Sequence, residues 1–191
     1  ESKPFPLGRR PASARRHFAY VAAAVLDLAL KDNVVILGRW STLLLRGVGH
    51  ALRVRVCAPS DVRADRLARR LGVSAEEAAR RIRRSDEGIR SRIQQFFGVD
   101  WDDPRLYDLT LNTERLSVEA AADAAVHTLA LPQFQSTEAS RLALWDAVLA
   151  ARIRAALKAS PDTAPLDVTI QCRGGRVALT GTVPQAADRE V

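Results

Sequence analysis

The sequence predicts an α/β fold, a parallel sheet flanked by helices, with a small α+β unit after it. Three features predict this. Strand-length runs rich in apolar residues stand at 34–37 (VVIL), 52–57 (LRVRVC) and 107–112 (YDLTLN), and helical stretches separate them. Strands divided in this way belong to parallel sheets whose faces are covered by helices. Near the end, alternating stretches at 166–171 and 176–182 flank Arg173-Gly174-Gly175, the pattern of a β-hairpin.

The elements follow in order. Residues 1–13 hold three prolines and no periodicity, so they read as a loose lead-in. Residues 14–31 form an apolar helical stretch that Asp32-Asn33 breaks, and the 34–37 run leads to Gly38-Arg39. A short helix or turn covers 41–50. After the 52–57 strand, Ser60 is the expected N-cap of a helix over 61–71 that Gly72 closes. Ser74 with Glu77 three residues on forms a capping box and opens a long helix toward Phe97. Gly88 weakens that helix, which predicts two helices with a joint near Ser85. Ser117 caps a helix to about Leu129. Composition shifts at 131–136 (LPQFQS), and a second unit opens with a helix over 138–159. From Ala186 another helix begins. The expected division is a lead-in over 1–13, one domain over 14–131 and a second over 137–191.

Composition narrows the function classes. At 47% hydrophobic residues, the 191-residue chain can build a core. Lys and Arg total 29 against 22 Asp and Glu, a net charge of +7 carried mostly by arginine. Arginine's planar fork binds phosphate bidentately, which points to nucleotides, nucleic acid or anionic headgroups. An arginine-rich codon bias produces the same excess, so charge alone does not choose. Cys57 and Cys172 lie far apart in strand-like runs and read as small buried hydrophobes. His17, His50 and His127 are scattered, as structural histidines are. No run reaches the roughly 18 apolar residues of a membrane span, and the expected location is the cytoplasm.

The segment RRSDEGIRSRIQQFFGVDWDDPRLYDLTLNT (83–113) poses the functional question. Six arginines fall within the thirteen residues 80–92. Arg80 and Arg84 share a helix face, and Asp86 with Arg90 makes an i,i+4 pair that would orient Arg90. One reading is a solvated face. The other is a mobile lid whose arginines face a cleft and neutralise a transferring phosphoryl group.

NVVILGR (33–39), APSDVRADRLARRLGVSAEEAARRIRRSD (58–86), FFGVDWDDP (96–104) and YDLTLNT (107–113) resemble, in order and approximate spacing, the cytidylate kinase-like family of nucleoside monophosphate kinases. That resemblance implies a P-loop kinase fold with an arginine-rich helical lid, ATP as donor, CMP or dCMP as acceptor, and Mg²⁺. It places Arg84, Arg90 and Arg92 as catalytic lid arginines and Arg39 and Asp86 at the acceptor nucleotide. Asn112 and Thr113 fall near the phosphates. The chain departs from the family in three places. No G-x-x-x-x-G-K-[ST] loop occurs in the 191 residues, Trp40 stands where a small residue is usual, and Ile89 precedes Arg90 where a lid arginine is expected. Since the chain opens on Glu1 rather than Met, truncation and a kinase-like relic are both open readings of the absent loop. Either predicts at most weak ATP binding and no turnover by this chain alone.

Residues 146–184 resemble a BON domain, with Gly175, Val177, Leu179, Gly181 and Val183 carrying the match. The resemblance implies docking to a membrane surface or a protein partner, and a plain packing module is the alternative. Two functional readings result: a kinase acting on CMP or dCMP, or a catalytically silent kinase-like nucleotide-binding or scaffold protein with a BON module. Nucleic-acid binding is disfavoured, because the arginine helix lacks interleaved aromatics.

Overall fold

The structure is a computed structural model that describes residues 12–182. It divides into two compact units, one within Glu1–His50 and Ser136–Val191, the other Ala51–Gln135. The motif-bearing stretch 14–131 is thus shared between two bodies.

The first unit is built on two long helices, α1 (Ala12–Ala29) and α6 (Glu138–Ala159), which pack against each other. Phe18, Ala19, Ala22 and Leu26 repeat at helical spacing on α1 and are buried, as are Leu144, Val148 and Ala151 on α6. The short helix α2 (Ser41–Leu44) adds Leu43 and Leu44 to this core. At its start, α6 carries a reciprocal cap: the Thr137 hydroxyl accepts from Ser140 N at 3.1 Å while Ser140 Oγ accepts from Thr137 N at 2.9 Å. His50 Nδ1 lies 2.8 Å from that same Ser140 hydroxyl, a structural role of the kind expected for it.

Strands β3 (Asp167–Arg173) and β4 (Arg176–Thr182) form the hairpin, antiparallel with Val168 opposite Gly181. Gly174 and Gly175 both take positive φ, 58° and 75°, as a two-residue hairpin turn requires. Asp146 of α6 fastens the turn, accepting from Gly174 N at 2.7 Å and Gly175 N at 2.8 Å. Gly181 has a different reason to be glycine. A Cβ there would sit 2.5 Å from the Asp167 carbonyl oxygen and 3.1 Å from Val168 Cα. Only a residue without a side chain lets the two strands approach so closely. Val183 and the expected helix from Ala186 lie outside the described residues.

The run 34–37 is not a strand. Asp32 and Asn33 both adopt left-handed backbone, φ 55° and 47°, and turn the chain off α1. The residues that follow pair with no strand among the described residues, and Val35 and Leu37 are 99% and 101% exposed. An apolar run becomes a strand only where a neighbour satisfies its backbone groups, and this one has none.

In the second unit, β1 (Val54–Cys57) and β2 (Leu109–Asn112) pair in parallel with Val54 opposite Leu109. The sheet is two-stranded, which makes it marginal without helical cover. Helices α3 (Ser60–Leu71), α4 (Ala75–Phe97) and α5 (Val118–Leu129) accompany it. Pro59 rather than Ser60 is the cap residue of α3, with no side-chain bond; Gly72 closes that helix in left-handed backbone as expected. Ser74 accepts from Glu77 N at 3.2 Å, and Ser117 from Ala120 N at 3.1 Å. No joint interrupts α4 near Ser85. Burial of Ile89, Ile93, Phe96 and Phe97 along one face outweighs the cost of roughly 1 kcal/mol for one interior glycine.

Two substitutions test this account by thermal unfolding. Gly88→Ala places a Cβ 3.6 Å from Arg92 Nη2, an ordinary contact, and should stabilise the protein by about 0.5–1 kcal/mol. Gly181→Ala should destabilise it by about 1–3 kcal/mol, the range for local overpacking. A neutral Gly181→Ala would mean the strands separate without cost.

Candidate functional site

The chemistry-bearing side chains of the second unit lie on β1, α3 and α4 and in the loop before β2. Arg53 first closes the strand pair at its start. Its Nε and Nη2 donate to the two oxygens of Asp108 at 3.0 and 2.7 Å, and its backbone N donates to the same carboxylate at 2.8 Å. In return, the Arg53 carbonyl accepts from Asp108 N at 2.9 Å. The fork geometry of guanidinium and carboxylate fixes the strand register as well as adding attraction.

Two residues along β1, Arg55 organises the aromatic-acidic loop. Its guanidinium stacks 5.2 Å from the Trp101 ring centre and 5.4 Å from that of Tyr107. It donates to the Trp101 carbonyl at 3.2 Å and pairs with Asp102. The Tyr107 hydroxyl donates to the same carbonyl at 2.9 Å. Asp102 also takes Arg90 Nε of α4 at 2.8 Å. One carboxylate therefore joins strand, loop and helix. Its two arginine partners, Arg90 and then Arg55, hold the Asp102 carboxyl below the usual carboxylate range.

Asp86 is fixed from α3. Arg63 Nη1 and Nη2 donate to its two oxygens at 3.0 and 2.7 Å, while Arg63 Nε bonds the Ala58 carbonyl at 3.0 Å. The bond to Asp86 raises the Arg63 guanidinium above its ordinary pKa. Arg66, one turn further, reaches the Thr113 hydroxyl at 3.1 Å and the Thr113 carbonyl at 2.5 Å. That hydroxyl also donates to the Cys57 carbonyl at 3.1 Å, so Thr113 ties the ends of both strands to α3. Asn112 Oδ1 accepts from Glu114 N at 3.0 Å and shapes the turn that follows.

These contacts correct the sequence reading of α4. The expected Asp86–Arg90 pair does not form: Asp86 goes to Arg63 and Arg90 to Asp102. Nor do all six arginines stand clear of carboxylates, since Arg80 and Arg81 both pair with Glu77 on their own helix. Arg83, Arg84 and Arg92 are exposed and take no ion pair among the described residues. Arg39 lies in the first unit, exposed in the bend before α2. Its neighbour Trp40 anchors that bend by packing on Phe18, ring centres 5.4 Å apart, and edge-on to His17. Sequence reasoning missed Arg55, Arg63, Arg66 and Asp102. The signals were present: arginines two apart in LRVRVC lie on one strand face, and Arg63 and Arg66 lie one turn apart on a helix.

The cysteines are free and half-buried. Cys172 is more than a small hydrophobe, because its thiol donates to Asp146 Oδ1 at 3.2 Å. Burial and that bond push its pKa up to about 11. Among the described residues no group of three or more His, Cys, Asp or Glu side chains could hold a metal ion. Among them, too, no helix is long and apolar enough to cross a membrane.

The model of the cytidylate kinase-like family matches residues 6–115, more than half of the chain. The chain belongs to that family. The BON domain model matches residues 146–191. Among curated proteins, the chain is 36% identical to a cytidylate kinase of Pyrococcus horikoshii over 94 residues, 49% of this chain and 48% of the relative. It is 35% identical over 99 residues to one of Methanopyrus kandleri, 48% of this chain and 51% of the relative. With one of Thermococcus sibiricus it shares 41% identity over 88 residues, 46% of this chain and 45% of the relative. The chain thus spans about half the length of the curated relatives it matches. No solved structure matches it.

The Asp102 junction predicts a pH signature. Its depressed folded pKa makes the stabilisation present above the unfolded value of about 3.9, and lost as pH falls through the folded value. Asp102→Asn should cost about 1 kcal/mol or less at neutral pH, since the carboxylate is partly exposed and screened. In urea titrations the gap between wild type and variant should close in strong acid. A gap of the same size at pH 3 and pH 7 would rule out ion pairing as its cause.

Proposed function

We propose that the second unit carries the phosphate-handling helix of a cytidylate kinase-like protein, whose parent activity is ATP-dependent phosphorylation of CMP or dCMP. The observation that carries this reading is the division of labour along α4. Asp86 and Arg90 are held by partners from other segments, Arg63 and Asp102, while Arg84 and Arg92 have no carboxylate partner among the described residues. Phosphoryl transfer asks little covalent chemistry of a protein; positioned cations neutralise the transferring group. Arg84 and Arg92 supply that charge. Arg90 joins them by exchanging Asp102 for a phosphate oxygen. Both Asp86 oxygens are taken by Arg63, so Asp86 serves the acceptor site by positioning α4.

The residues suit the charge of a nucleotide phosphate. They do not supply a triphosphate cradle, since no glycine-rich G-x-x-x-x-G-K-[ST] loop occurs in the sequence. Among the described residues no group of three or more His, Cys, Asp or Glu side chains could hold a metal ion, and Mg²⁺ in such enzymes is carried largely by the nucleotide's own phosphates. A second reading is a catalytically silent nucleotide-binding or scaffold protein whose BON-like segment docks to a membrane surface or partner. The pairing of Arg80 and Arg81 with Glu77, the arrangement of an ordinary solvated face, favours it.

Calorimetry with CMP, joined to an ADP-release assay with CMP, dCMP and UMP, separates these readings. CMP should bind, and Arg84→Ala and Arg92→Ala should each weaken it about tenfold, the worth of one charge-assisted hydrogen bond. CMP-dependent ADP release by this chain supports the kinase over the silent protein. Binding without release is compatible with either, and no CMP binding contradicts both.

A further inference from the structure

The first unit contains a cavity of about 480 Å³, within the size range of small-molecule sites. Its apolar wall is Phe18, Ala22 and Leu26 from α1, Ala147 and Ala150 from α6, and Ile170 from β3, with Arg46, Asp146, Arg154 and Arg173 as its charged lining. Alanines on α6 leave the room that larger side chains would fill. The polar lining has one sign of uncommitted charge. Asp146, the carboxylate of the lining, already accepts from Gly174 N, Gly175 N and the Cys172 thiol. Arg154 lines the same cavity and makes no hydrogen bond or ion pair among the described residues.

Arg154 also belongs to a cluster with excess positive charge. It lines a small recess of about 10 Å³ together with Arg15, Lys158 and Asp167. Three cations thus face one carboxylate. Lys158 Nζ is committed to the Ala164 and Leu166 carbonyls at 2.7 Å each. Arg15 Nε is buried with no hydrogen-bond partner. Burial holds the Arg154 guanidinium below its ordinary pKa, with Asp167 opposing. Desolvated cations without partners are costly, and an anion relieves the cost. The recess has room for no more than about one water, so an anion reaches the cluster from the large cavity, through Arg154.

We propose that this cavity binds an amphiphilic monoanion, a medium-chain carboxylate whose alkyl tail lies against Phe18, Leu26 and Ile170 and whose carboxylate pairs with Arg154. Three arginines, Arg46, Arg154 and Arg173, line the chamber; Arg173 is exposed, and Arg154 is the desolvated one, so a largely apolar chamber with a desolvated guanidinium at its margin matches a ligand with one charged end and one greasy end. The site is independent of the phosphate-handling helix, being built wholly within the other unit.

The probe is dodecanoate below its micellar concentration, with dodecanol and inorganic phosphate as comparators, measured by calorimetry and tryptophan fluorescence. Trp40 packs on Phe18, a cavity wall residue, and reports occupancy. Dodecanoate should bind about tenfold more tightly than dodecanol, the worth of one charge-assisted hydrogen bond, and phosphate alone should not bind. Arg154→Met keeps a long stem, removes the buried charge, and should abolish the preference for dodecanoate while leaving the protein folded. Ala147→Phe should fill the chamber and abolish both ligands; melting curves confirm that each variant folds. Equal binding of dodecanoate and dodecanol, no binding by folded wild type, or an unchanged preference in Arg154→Met overturns the proposal.

Discussion

Asp86, held by the two parallel bonds of Arg63, is the contact on which the second unit depends. A two-stranded parallel sheet has little stability of its own, and the unit offers a modest set of buried side chains. Order has to come from contacts that are specific in direction. Guanidinium–carboxylate forks supply it twice, Arg53 with Asp108 at the strand starts and Arg63 with Asp86 between α3 and α4, and Asp102 adds single bonds from Arg55 and Arg90. Each links segments far apart in sequence. The arginine excess of the composition therefore has a structural use before it has a functional one.

That use explains which arginines remain for other work. Carboxylates claim Arg53, Arg55, Arg63 and Arg90 across segments, and Glu77 claims Arg80 and Arg81 locally. Arg84 and Arg92 stand on the helix that the Arg63–Asp86 fork fixes. A cation meant for a phosphate has to be fixed in place without being neutralised. Fixing the helix through Asp86 achieves this for its neighbours. The first unit applies the same logic with backbone: Asp146 spends its carboxylate on the N–H groups of Gly174 and Gly175 and so holds a hairpin against α6.

Much of this was legible in the sequence. Alternation around Gly174-Gly175 gave the hairpin, and helical spacing gave a helix over 138–159, because local pattern and local structure coincide there. The two parallel strands were legible for the same reason. The run 34–37 was not, since an apolar stretch states a need for burial but not the neighbour that meets it. At Gly88 a local cost was overridden by the buried face of Ile89, Ile93 and Phe96. The Asp86–Arg90 pair failed in the same manner: i,i+4 spacing shows the partner within the helix, whereas Arg63, 23 residues away, offers two bonds at once. The glycine of G-x-V at Gly181 was read as part of a motif. Its cause, a carbonyl 2.5 Å from where a Cβ would lie, exists only in three dimensions.

The central claim is that the Arg63–Asp86 fork fixes α4 and leaves Arg84 and Arg92 for phosphate. Guanidinium NMR during a CMP titration tests it most directly, by following each arginine Nε–Hε resonance. The account predicts that the Arg84 and Arg92 signals shift and sharpen with CMP while that of Arg63 stays unmoved in its fork with Asp86. Movement of the Arg63 signal with Arg84 and Arg92 unchanged would contradict it.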